Sequence, residues 1–134
     1  MLKSRITLNE DHKVRRRLGS KLTEEKVKHI LTDKRLSPIK VMLEKDHAID
    51  CILLLHLEKG RWKNAKGFMR EHSLTLSDGT FRARMMEIED LGLAKSVPID
   101  PLKKYYVITE FGERVAKLLL EFFDKTEAHI KKAA

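Results

Sequence analysis

The chain of 134 residues contains one cysteine, three prolines and six glycines, and aromatic residues make up 6% of it. A single cysteine excludes an internal disulfide framework and suits a reducing interior. The apolar runs are short: Ile52 to Leu55 and Leu118 to Leu120 fall far below the length needed to cross a bilayer. The first residues, MLKSRITLNEDHKVRRR, carry basic charge with no apolar h-region, so a secretory leader is not expected. No glycine-rich phosphate loop, zinc-type cysteine pair or Gly-x-Ser-x-Gly elbow occurs. Neither catalysis nor a cofactor is therefore expected. His47 and Cys51 stand four apart with Asp50 close by, but two candidate ligands do not close a metal site, and a cysteine among Ile and Leu reads as core.

What is present is positive charge and an ample apolar fraction. Lys and Arg number 28 against 20 acids, a net +8, and 42% of residues are hydrophobic. That composition predicts a folded, basic, cytoplasmic single domain with a polyanionic partner as the first candidate, and no membrane. The charge is uneven. Residues 1–45 hold 13 basic residues against 6 acids, or +7, while residues 46–134 hold 15 against 14, or +1.

Three regions are expected. Residues 1–21 read as a basic arm, in which Arg15, Arg16 and Arg17 would tether phosphate or simply be solvated. Residues 22–45 read as a helical extension, with Leu22, Val27, Ile30 and Leu31 at helical spacing and a second short helix after Ser37-Pro38. Residues 46–134 carry the sharper pattern. Asp46 can cap a helix to about Glu58, with Ile49, Ile52, Leu53 and Leu57 inward and Gly60 as its stop. Asn64 can cap a helix to about His72, which buries Ala65, Phe68 and Met69. Ser77 can cap a third, in which Phe81, Met85, Ile88 and Leu91 repeat before Gly92. The Asp78-Gly79 pair also signals a hairpin turn, but the 3.6-residue period persists too long for a strand, so the helix is preferred. Leu93 to Val97 and Tyr105 to Thr109 read as strands around a loop at 98–104 that holds Pro98 and Pro101. Thr109 then caps a long helix with an apolar stripe of Phe111, Val115, Leu118, Leu119, Phe122 and Ile130.

The expected fold class is mainly α with a small β-wing (α+β). Two segments carry a resemblance: LTLSDGTFRARMMEIEDLGLAKSV at 74–97 and YYVITEFGERVAKLL at 105–119. With the order helix, helix, helix, strand, strand, helix, the chain over about 46–123 resembles the winged-helix transcriptional regulators of bacteria and archaea, of the broad MarR and PadR kind. The first segment matches a recognition helix closing on Leu-Gly-Leu. The second matches a Tyr-x-Leu-Thr-x-x-Gly run, with Ile108 where leucine is usual.

The resemblance implies sequence-specific binding of double-stranded DNA by a homodimer, with the helix at 78–91 in the major groove and the wing at 98–104 on the backbone or minor groove. Ser77, Thr80, Arg82 and Arg84 would read or anchor, and Lys103 and Lys104 would steady the wing, unless these are ordinary surface residues. Glu87 is awkward on such a face unless it accepts from cytosine or pairs with an arginine. Leu118, Leu119, Phe122, Phe123 and Ile130 would join two copies, or pack on the N-terminal helices of their own chain. The other functional class is a winged helix used for protein interaction, or as a subunit of a nucleic-acid-processing assembly.

Overall fold

The computed structural model describes residues 21–58, 62–71, 75–101 and 103–133, the side chains of 62–66 and 103 excepted. Arg15, Arg16 and Arg17 lie outside the described residues. The chain divides into two units, Met1–Pro38 and Ile39–Ala134. In the first, helix α1 covers residues 21–32. It closes on Asp33, whose carboxylate accepts from the Arg35 backbone N–H at 2.8 Å and from its guanidinium at 2.8 Å. Leu22, Val27, Ile30 and Leu31 share this helix as expected, but all four are exposed.

The second unit begins at Ile39. Helix α2, Ser37–Leu43, supplies the buried Met42, and Ile39 and Leu43 pack against the core beside it. Helix α3, Ala48–Glu58, is central and touches α4 (Trp62–Glu71), α5 (Asp78–Asp90), strand β2 (Lys103–Ile108) and α6 (Glu110–Ala133). Ala48, Cys51, Ile52, Leu54 and Leu55 of α3 are buried. Leu57 is exposed, and Ile49 and Leu53 are only partly covered. The phase expected from the sequence is thus shifted, because a helix apolar on nearly every side has no preferred inward face until its neighbours choose one. His47, in the left-handed region with φ 63°, accepts from the Cys51 N–H and holds the cap position expected of Asp46. Burial pushes the Cys51 thiol up to about 12, with the Asp50 charge adding to the effect.

Helix α5 forms where the hairpin alternative stood. Its inward face is Phe81, Met85 and Ile88, spaced at four and three residues. Ser77 caps it, and the Thr80 N–H donates to Ser77 Oγ at 3.1 Å. Gly92, at φ 79°, ends it: the Gly92 N–H donates to the Glu89 carbonyl at 2.8 Å and the Leu93 N–H to the Ile88 carbonyl at 3.1 Å. This double return satisfies carbonyls that the helix end would leave open.

Strands β1 (Ala94–Asp100) and β2 pair antiparallel, from Ala94 opposite Ile108 to Asp100 opposite Lys103, with an irregularity between Pro98 and Asp100. The loop expected over 98–104 is therefore mostly strand: 98–100 belong to β1 and 103–104 to β2. Pro98 is tolerated because a two-stranded sheet has only edge strands, on which a missing N–H can face away from the pair.

Helix α6 docks through Thr109. Its N–H donates to the Leu93 carbonyl at 3.0 Å and its hydroxyl to the Gly92 carbonyl at 2.6 Å, while the Gly112 N–H donates back to that hydroxyl at 3.0 Å. Gly112 is buried, and a Cβ there would overlap the Leu93 carbonyl oxygen and meet Ile108 Cγ1. The two sequence segments that carried the resemblance are thus one interlock, Leu91-Gly92-Leu93 against Thr109-Glu110-Phe111-Gly112. From there Val115, Ala116 and Leu119 continue the covered face of α6, while Phe111 stays half exposed. The core-facing stripe starts at Gly112 because only a residue without a side chain fits that approach.

Candidate nucleic-acid interface

The interlock fixes how α5 is held. One face lies on the core through Phe81, Met85 and Ile88; along the other, Gly79, Arg82, Met86 and Asp90 are exposed, with Ala83 partly covered. Spacings of three and four residues put Gly79, Arg82, Ala83 and Met86 on one stripe. Arg82 has no ion pair with any described residue, and Met86 is 56% exposed.

Arg84 is engaged differently from the reading or anchoring role expected of it. Its side chain is only 14% exposed, its Nε donates to the Asp46 carbonyl at 2.7 Å, and its Nη1 donates to Glu87 at 2.7 Å. Lys45 donates to the other Glu87 oxygen at 2.8 Å. The Lys45 hydrogen bond, aided by Arg84, holds the Glu87 carboxyl below its ordinary range. This clasp ties the turn before α3 to the middle of α5, and it resolves the awkward carboxylate: Glu87 is matched by two cations of its own chain. Sequence spacing could expose the Arg84–Glu87 half, three residues apart, but not Lys45 or the Asp46 carbonyl, which arrive through the fold.

Ser77 and Thr80 are likewise occupied with local structure. The Ser77 hydroxyl donates to Thr80 Oγ1 at 2.9 Å and accepts from the Thr80 N–H, so the two side chains expected to read or anchor are bonded to each other. Lys103 begins β2 opposite Asp100. Lys104 is exposed, lies over the Tyr106 ring with its Nζ 5.3 Å from the centroid, and helps hold the Glu89 carboxyl down. The main cause of that lowering is the hydrogen bond from the Ser96 side chain; the Ser96 N–H, which donates to Glu89 at 2.5 Å, adds to it and fastens the hairpin to α5. The hairpin thus springs directly from the end of the open helix.

On α6, Leu118 is 67% and Phe122 60% exposed, and Phe123 and Ile130 are exposed as well. Leu119 differs from these four, since it packs on the core of its own chain. Phe123 also lines a shallow depression of about 240 Å³ with Leu43, Lys45, His47, Ile49 and Asp50.

Among the described residues no group of three or more His, Cys, Asp or Glu could hold a metal ion, and no helix is long and apolar enough to cross a membrane. Compared with known proteins, the chain matches no family model, no curated protein and no solved structure.

Proposed function

We propose that this protein binds double-stranded DNA as a winged helix over about residues 46–123, acting in the cytoplasm as a homodimeric transcriptional regulator. The observation that carries the reading is the one-sided packing of α5: its apolar face is spent on the core, and its opposite face presents Arg82 and Met86 with no described side chain over them. A helix held this way can enter the major groove, where each base pair offers a distinct pattern of donors and acceptors. The β1–β2 hairpin serves as the wing and carries Lys103 and Lys104 to the phosphates, and the basic segment with Arg15, Arg16 and Arg17 adds sequence-independent attraction. The internal pairing of Glu87 supports this reading, because a carboxylate with two cations beside it repels phosphate far less than a bare one. Dimerisation through Leu118, Phe122, Phe123 and Ile130 covers apolar surface that a monomer leaves in water and spaces two α5 helices for a palindromic site. The alternative, a protein-interaction module or assembly subunit without base readout, draws on the exposed apolar Met86. An anisotropy titration with duplex DNA over a salt series tests the reading. Binding that weakens steeply with salt supports it, whereas a folded protein that retains no duplex at low salt sinks it.

A further inference from the structure

The α5 surface divides sharply between side chains already committed and side chains at liberty to read. Arg84 and Glu87 are locked in the clasp with Lys45 and the Asp46 carbonyl. The hydroxyls of Ser77 and Thr80 bond each other. Gly79 and Ala83 lack reach, Asp90 is repelled by phosphate, and Asp78 has Arg70 at 4.0 Å. Arg82 and Met86 are what remains. They stand four residues apart on one stripe, about 6 Å along the helix axis, which spans roughly two base-pair steps. A guanidinium matches the O6 and N7 acceptors of guanine, and an apolar tip at the groove floor matches the thymine C5 methyl.

Resting on the DNA reading above, we infer that Arg82 and Met86 are the specificity-determining pair of α5, and that the preferred site holds a guanine and a thymine about two steps apart, the thymine being read through its methyl group. Arg84 in this scheme positions the helix and carries no base preference. On binding, the exposed Met86 side chain becomes buried against a methyl group.

Selection of the full-length chain against a pool of random duplexes, followed by titration of the selected duplex, tests this. Replacing the thymine by deoxyuracil should weaken the wild type about fourfold, the worth of one buried methyl. The same replacement should leave Met86→Ala indifferent and Met86→Leu still sensitive. Arg82→Ala should lose discrimination at the guanine by about five- to a hundredfold, and 7-deazaguanine there should weaken the wild type but not that variant. Arg84→Ala should keep the wild-type base preferences, whatever its overall affinity. The Arg82 and Met86 side chains are exposed, and helicity measured alongside verifies that each variant, Arg84→Ala included, is folded. A selected site lacking such a guanine and thymine, or base preferences unchanged in Arg82→Ala and Met86→Ala, overturns this pairing while the DNA reading stands. Failure of the wild type to retain any duplex overturns both.

Discussion

Two glycines of the same domain occupy opposite extremes. At Gly112 a single added carbon would overlap the Leu93 carbonyl oxygen, whereas at Gly79 it would meet nothing within 4 Å. The first lies where the start of α6 meets the turn after α5, in a region tied by hydrogen bonds: the Thr109 N–H donates to the Leu93 carbonyl, the Thr109 hydroxyl to the Gly92 carbonyl and the Leu93 N–H to the Ile88 carbonyl. The second lies on the open face of α5. Neither glycine needs its residue type for a positive φ, which belongs to Gly92 alone among the described glycines. The difference teaches that short sequence segments of this kind specify the closed region, where backbone approaches backbone, and that the open region is free to vary for function.

The comparison breaks most readily at its closed end. Gly112→Ala should cost about 3 kcal/mol or more, since the obstructing atom is a backbone carbonyl that cannot step aside as a side chain would. Urea unfolding followed by circular dichroism reads this as a fall in midpoint at constant slope. A loss below about 1 kcal/mol would mean that α6 can lift away cheaply, and the closed region would then be closed in appearance only.

The clasp sits between the two extremes. Arg84→Ala leaves the Asp46 carbonyl without its donor and Glu87 with Lys45 alone, so a loss of about 1–2 kcal/mol is expected. If Lys45 and Arg84 support the same carboxylate, the double substitution Lys45→Ala with Arg84→Ala should cost less or more than the two single changes together, and strict additivity would separate them.

Acid sharpens the same point with a smaller effect. The Glu87 carboxyl is held below its ordinary range, first by the Lys45 hydrogen bond. A group with a depressed folded value contributes stability above the unfolded value, about 4.3 for glutamate, and loses it as pH falls through the folded one. The difference in Tm between wild type and Glu87→Gln should therefore be largest at pH 6 and shrink by pH 3. A difference independent of pH would show that Glu87 contributes by shape rather than by charge. Glu89 is lowered too, so Glu87→Gln removes only part of the acid sensitivity.

How much of this was legible beforehand follows the distinction between local and distant causes. The cap at Ser77, the stop at Gly92 and the inward run Phe81, Met85, Ile88 are local, and spacing alone located them. So did Thr109 at the head of α6. The inward face of α3 was not legible, because its apolar residues fall on almost every side and only the packing of α4, α5 and α6 selects Ala48, Cys51, Ile52 and Leu55. The hairpin connection is shorter than the sequence suggests because Pro98 reads as loop although an edge strand admits it, whereas Pro101 does lie in the turn. Most consequential for the candidate site, Arg84 looked as available as Arg82. A residue 38 positions away, Asp46, and a lysine 42 positions from Glu87 decide that difference, and contacts at that separation leave no periodic trace.

Gly79→Ala tests the open end of the comparison and should have the smallest effect on folding. Alanine is the better helix former by up to about 1 kcal/mol in a helix interior, and less at the first turn, so a gain of a few tenths is expected. Nothing in the structure opposes the added carbon. On the proposed DNA reading, binding should move the other way, because the same carbon projects from the stripe that carries Arg82 and Met86 and would hold a duplex off the first turn of α5. Opposite signs in a thermal melt and a DNA titration would show that the openness at Gly79 serves approach by a partner rather than the fold. A gain in stability with unchanged affinity would place the contact further along the helix, towards Met86, and the first turn would then be open for no reason connected with the duplex.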